Sequence, residues 1–317
     1  MKNKRTPLVL SLTFVLAVLA IVYFLQPPRK GGETAAESTT QTRDLKPVVD
    51  KQDDTLTKEK EVWIAAINGR NGETYRERML ALENFDDSLG DTEEALLLEF
   101  IQNASQPLAN GTSINIEAAV RNNVMNLLKR ETKNPQALTD AFIGIYRDKT
   151  NQHPVLRDYA IQHLASWHNK LEADKPLDGQ ALDRELNQIE DIFWTALDET
   201  QAAIPATALL ALNRITPPEN QEKRQTLHEE ALNLIEKNGI GEAVQSTALQ
   251  LAAQAKPEEA LRLAEKLIRV GKSVALRRSA IATIGNHGNE QSVQMLRELT
   301  MDDESPFPRQ RNTRLRK

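Results

Sequence analysis

The spacing of apolar and polar residues divides the 317-residue chain into distinct stretches. From Leu8 to Leu25 there are eighteen consecutive residues without a charge. From about residue 29 to 57 the apolar periodicity disappears. From about Glu59 to Met301 apolar residues return at helical spacing, and no segment sustains the alternation of a strand. The expectation is an all-α protein, with one membrane helix ahead of a helical body.

At about 1.5 Å per residue, the Leu8–Leu25 segment nearly crosses a hydrocarbon layer of roughly 30 Å. Lys2, Lys4 and Arg5 precede it. The positive-inside rule therefore leaves residues 1–7 in the cytoplasm, uses 8–25 as an inner-membrane anchor, and exports the body to the periplasm or another extracytoplasmic space. Arg29 and Lys30 weaken that bias without reversing it. A cleaved signal peptide is the competing reading, with Val18 and Ala20 as small residues before the cut. Ile21–Leu25 would continue the apolar run past it. A buried core helix is the third reading, and fits poorly with such uniform apolarity. Residues 26–58 open with Pro27-Pro28 and are rich in Gly, Thr, Glu, Asp, Gln and Lys, as expected of a disordered linker.

Within the body, residues 59–301, several helix starts can be read directly. Asn134-Pro135 places a capping side chain before a first-turn proline, and Lys256-Pro257-Glu258-Glu259 puts carboxylates where the helix dipole favours them. Asp91-Thr92-Glu93-Glu94 and Ser273 mark further starts. Six segments then fall in one register: YRERML from Tyr75, VRNNVM from Val120, LRDYAI from Leu156, IPATAL from Ile204, VQSTAL from Val244 and LRRSAI from Leu276. They start 45, 36, 48, 40 and 32 residues apart, and each is followed by a second amphipathic stretch. The repeating unit is thus a helical hairpin, present about six times. Four segments carry arginine in second place: Arg76, Arg121, Arg157 and Arg277. Helical periodicity explains the apolar columns, but not an arginine at the same offset four times.

Residues 273–299, SVALRRSAIATIGNHGNEQSVQMLREL, resemble a HEAT repeat of the short kind found near phycobilisome-lyase-type proteins. The similarity lies in Leu-Arg, then Ala280 with Ile281, then Gly285 and Gly288 before a second helix. HPVLRDYAIQHLASW, with Arg157 and Ala160, is similar but lacks the glycine pair; the other units depart further. The resemblance implies a right-handed α-α superhelix, a HEAT-like solenoid of about six hairpins with a concave partner-binding face. Tetratricopeptide-like stacking and an irregular helical domain are the alternatives; the Trp, Leu-Gly and Tyr pattern of the former at a 34-residue period is missing.

Charge sharpens the functional expectation. The net charge is −5, but residues 1–30 and 309–317 each carry five cations and no acid, which leaves −15 for residues 31–308. An acidic body argues against nucleic acid, whose phosphates require clustered Lys and Arg. It favours a protein partner with a basic surface. The basic tail within residues 302–317 is expected to be a flexible terminus, or a contact for anionic lipid or an acidic partner. The chain has no cysteine, which removes disulfides, thiol catalysis and cysteine-ligated zinc.

No nucleophile elbow, phosphate loop or His-Glu-x-x-His helix occurs. His163 and His168 lie five residues apart, at about 140° on a helix, too divergent to share a metal. His168 and Glu172 share a face but read as an exposed helix pair. Gly239-Ile240-Gly241 reads as a turn, and Asp86–Asp91 as a loop without the ligand spacing for calcium. Asn103-Ala-Ser and Asn110-Gly-Thr match a glycosylation pattern that is common by chance. The expectation is therefore a non-enzymatic scaffold or adaptor without cofactor or metal. The alternatives are an enzyme or small-ligand module using an inter-helix groove, and a structural spacer of the cell envelope.

Overall fold

In the computed structural model, the described residues are 58–69, 71–83, 88–103, 114–200, 203–270 and 273–301. They all belong to the second of two units into which the chain divides, Thr55–Lys317. Thirteen helices and no strand occur among them: α1 Lys58–Asn68, α2 Tyr75–Glu83, α3 Asp91–Gln102, α4 Ile114–Glu131, α5 Pro135–Arg147, α6 Pro154–Asp174, α7 Gly179–Ala196, α8 Ile204–Ile215, α9 Gln221–Glu236, α10 Glu242–Ala255, α11 Pro257–Val270, α12 Val274–His287 and α13 Glu290–Met301. The expected anchor at 8–25, residues 26–57 of the expected linker at 26–58, and the tail at 302–317 lie outside the described residues, and Lys58, the last residue of that linker, opens α1 instead. So do Asp86, Asp87 and Asn110. Among the described residues no helix is long and apolar enough to cross a membrane.

The helix starts follow the chemistry of their first turns. The Asn134 side chain accepts from Ala137 N at 3.1 Å with Pro135 in the first helical position, and Ser273 accepts from Leu276 N at 3.1 Å. Asp178 caps α7 and Asn220 caps α9 in the same way. Each satisfies an amide that the helix leaves without a partner. Gly239 takes a positive φ of 78° in the α9–α10 turn, a conformation that glycine adopts without strain.

Packing follows a simple order. α1 packs on α2, α3 on α4, and each helix from α5 to α12 on the next in sequence, and there is a second contact two helices on: α2 on α4, α4 on α6, α6 on α8, α8 on α10 and α10 on α12. The odd-numbered helices do the same from α1 through α7, and again between α9 and α11. The six register segments lie on α2, α4, α6, α8, α10 and α12, and the second amphipathic stretches lie on the odd helices that follow them.

From α4 onward the apolar columns of the register are the core. Val120, Val124 and Met125, then Leu156, Ala160 and Ile161, then Ile204, Ala208 and Leu209, then Val244, Ala248 and Leu249, are all without exposure. Leu276 and Ala280 continue the series, with Ile281 half-buried. Each such Leu, Ile or Val contributes about 1.5–3 kcal/mol by leaving water. The alanines allow close approach of neighbouring helix axes. In α2 the register differs from expectation. Tyr75, Arg76 and Leu80 are exposed, whereas Arg78 and Leu82 are buried, so the pattern begins two residues later, at Glu77. α2 is the first helix of the even series; it packs on α1 and α4 but has no earlier even helix against it.

Candidate functional site

The recurring arginine has a structural task. Arg78 on α2 donates from Nε to Ile67 O at 2.7 Å, at the C-terminal end of α1. Arg121 on α4 donates to Ile101 O and Asn103 O at the end of α3, and Arg157 on α6 donates from Nε to Tyr146 O at 2.7 Å at the end of α5. The same place on α10 holds Gln245, whose Nε2 donates to Ile235 O at 2.8 Å, at the end of α9. The last carbonyls of a helix lack intrahelical donors and carry the negative end of its dipole, so a cation from the next helix satisfies both. An aromatic ring lies beside each guanidinium: Phe100 beside Arg78 and Arg121, and Tyr146 beside Arg157, at 5.3–5.9 Å to the centroid.

Carboxylates complete these buried clusters. Glu117 bridges Arg78 at 2.8 Å and Arg121 at 3.1 Å, and all three side chains are buried. Glu199 meets Arg157 at 2.7 Å and Lys149 at 2.8 Å. Burial acts to raise the Glu199 pKa, but hydrogen bonds from Lys149 and Arg157 outweigh it and hold the carboxyl below its ordinary value. Burial and the nearby Glu199 push the Tyr146 phenol up to about 12. These arginines join one hairpin to the next and have no open face for a ligand.

The remaining sequence-expected positions divide. Ala160 and Ala280 are fully buried. Arg277 is half-buried and Arg76 exposed. A Cβ on Gly288 would come within 2.3 Å of Ile284 O, so this glycine closes α12, whereas one on Gly285 would meet nothing within 4 Å. His168, expected as an exposed partner of Glu172, is buried instead, and burial lowers its pKa. Among the described residues no three His, Asp or Glu side chains converge as metal ligands.

Two adjoining depressions, of about 500 and 410 Å³, lie between α9 and α11. The first is lined by Ile235, Ile240, Leu263, Leu267 and Leu276 together with Lys237 and Lys266. Their charged rims are largely engaged already, through Lys266 with Glu236 at 2.8 Å and Lys256 with Glu229 at 3.2 Å.

A different surface gathers the polar groups that the core does not use. On the side of the even helices away from the buried columns, positions three or four apart form a stripe: Asn122, Asn126 and Lys129 on α4, Tyr159, Gln162, Ser166 and Lys170 on α6, Thr207, Leu210 and Arg214 on α8, Ser246 and Gln250 on α10, and Arg278 on α12. Neighbouring helices are tied across it. Lys129 Nζ donates to Ser166 Oγ at 2.7 Å, and His163 Nε2 lies 2.9 Å from Asn122 Oδ1. Gln162 donates to Asp158 at 2.9 Å, and Thr207 bonds the same carboxyl from α8. Asp158 Oδ1 and His163 Nδ1 are buried without a hydrogen-bond partner. Burial raises the Asp158 pKa and lowers that of His163. Burial, then Arg214, lowers Lys129 to about 8.

This stripe is poor in acid, while the odd helices hold most of the body's negative charge. Asp91 and Glu99 on α3, Asp183 and Asp191 on α7, Glu222, Glu229 and Glu236 on α9, and Glu258 and Glu259 on α11 are all exposed. Net charge alone had suggested one uniformly acidic body; the folding pattern concentrates the acids on the odd helices. Sequence reasoning missed the stripe, although a trace was present. The sixth residue after each register start reads Ala81, Asn126, Gln162, Leu210, Gln250 and Ala282, a column without charge in a highly charged chain. Chemically, Lys129 and Ser166 form a close amine–hydroxyl pair, but Ser166 donates to His163 O at 3.0 Å within its own helix. Mid-helix amides are already bonded, so no backbone donors face this hydroxyl to hold an oxyanion. The stripe suits hydrogen bonding and charge recognition better than acyl chemistry. Comparison of the chain with protein-family models, with curated proteins and with solved structures finds no match in any of the three.

Proposed function

We propose that this protein is a membrane-anchored, exported scaffold or adaptor whose helical hairpins stack as a HEAT-like, right-handed α-α solenoid. Residues 8–25 hold it in the inner membrane, and the even-helix stripe binds a protein partner. The solenoid reading is supported by the packing order, in which each even helix from α2 to α12 contacts the next even helix. The observation that carries the binding reading is the stripe itself. Asn, Gln, Ser, Thr, Lys and Arg are arrayed over successive helices and linked by side-chain bonds between them. Such a surface offers many hydrogen-bonding groups with their apolar supports buried behind.

Crosslinking in intact membranes, followed by affinity purification and mapping of the linked peptides, tests this. A reproducible protein partner linked through α4, α6, α8 or α10 is the expected result. Recovery of no reproducible partner, with the purified chain inert and monomeric, would overturn it. Localisation is tested separately, by protease access to a C-terminal tag in cells with a permeabilised outer barrier.

A further inference from the structure

We propose that the part of the stripe on α4, α6 and α8 docks an acidic protein segment, one carboxylate of which sits against the Lys129 amine and the Ser166 hydroxyl. The proposal rests on the partner-binding reading above and reverses the charge expected of the partner from net charge.

The geometry points to an anion. Lys129 Nζ bridges α4 to α6 through Ser166 Oγ at 2.7 Å. Among the described residues no carboxylate lies within ion-pair distance of it, although ion pairs engage lysines elsewhere: Lys60, Lys149, Lys170, Lys223, Lys237, Lys256 and Lys266. The charge that acts on Lys129 is of the same sign, Arg214 on α8. A cation half-withdrawn from water beside a second cation is unfavourable unless an anion is supplied. The carboxylate bordering the stripe, Asp158, is turned into its own bonds with Gln162 and Thr207, and burial favours its neutral form. The body's exposed acids on α3, α7, α9 and α11 belong to the odd series.

The rest of the stripe fits an extended acidic segment. Asn126, Gln162 and Gln250 recur along it and can both donate to and accept from a main chain. A basic segment would meet the Lys129 amine with like charge.

The test uses the full chain in nanodiscs of neutral lipid, with hexaglutamate as probe and hexalysine and phosphatidylglycerol vesicles as comparisons. Brief acetylation at pH 8 is read lysine by lysine by mass spectrometry. The expected result is that hexaglutamate slows acetylation of Lys129 about fivefold, the loss of free amine at pH 8 when a pKa of about 8 rises by about one unit. Lys266 and Lys223 should react at unchanged rates, and hexalysine should protect nothing. Fluorescence anisotropy of labelled hexaglutamate should weaken in both Lys129→Gln and Arg214→Gln. Ser166→Ala, a milder change, guards against loss through misfolding and should weaken it less. Protection by hexalysine, by the vesicles alone or by none of the three would overturn the proposal. If membrane crosslinking still yields a partner, but through the acids of α7 and α9, the scaffold role stands without the stripe as its binding face, and the acidic-segment proposal falls.

Discussion

Arg157 on α6 reaches back to the last turn of α5, donating to the main-chain oxygen of Tyr146 at 2.7 Å while its guanidinium lies 5.3 Å from the ring centroid of the same tyrosine. One side chain thus closes a helix end, stacks on an aromatic ring and neutralises Glu199. With 1% exposure it has no water to fall back on. Arg157→Ala is expected to cost about 3–5 kcal/mol, because Glu199 is left buried and short of its partner. Arg157→Lys should recover only part, since one ammonium cannot meet the carbonyl and the carboxylate with planar geometry. Thermal unfolding of the purified chain by circular dichroism checks both.

Gln245 performs the capping task without charge, donating to Ile235 O at 2.8 Å. Gln245→Ala is therefore expected to cost only about 0.5–1.5 kcal/mol, the net worth of a neutral hydrogen bond. A loss as large as that of Arg157→Ala would mean that the carbonyl, not the ion pair, dominates at both sites.

The pH dependence of stability has a definite sign. Glu199 has a folded pKa below its ordinary value of 4.5, so the unfolded chain binds more protons there. Its contribution is fully present above pH 4.5 and is lost as pH falls through the lowered folded pKa. Glu199→Gln should flatten the acid limb of a Tm-against-pH curve, and lower Tm at pH 7.

Asp158 has the opposite sign. Its folded pKa is raised from 3.8 by burial, so ionisation is resisted in the folded state. Stability falls as pH rises from the ordinary range through the raised value. Asp158→Asn, which retains an acceptor for Gln162 or Thr207, should raise Tm at pH 7 and leave it nearly unchanged at pH 3. An equal gain at both pH values would show that the carboxyl is not buried as described.

The two glycines of the last register unit separate cleanly. Gly288→Ala drives a Cβ to 2.3 Å from Ile284 O and should destabilise by about 1–3 kcal/mol. Gly285→Ala lies inside α12 facing open space, and should stabilise by about 0.5–1 kcal/mol through helix propensity. Chemical denaturation of the two variants beside the parent chain measures the difference.

The sequence by itself determined the class of the body, its helix starts and its buried columns, because these depend on spacing along one helix. Asn134, Ser273 and the Val120, Leu156, Ile204, Val244 and Leu276 columns were all legible. It also marked Arg121 and Arg157 as unusual, but not why: the carbonyls that they satisfy lie in a different helix, and the start of the register in α2 depended on which side of that helix has a neighbour. What only the tertiary structure decided was the placement of charge. Glu117 meets Arg78 across 39 positions of sequence, and Lys129 meets Ser166 across 37. A net charge adds such residues without regard to position, whereas packing turns one edge of each helix inward and sets the odd and even series apart. The acids thereby became mainly a feature of the odd series, while cations and amides occur on both.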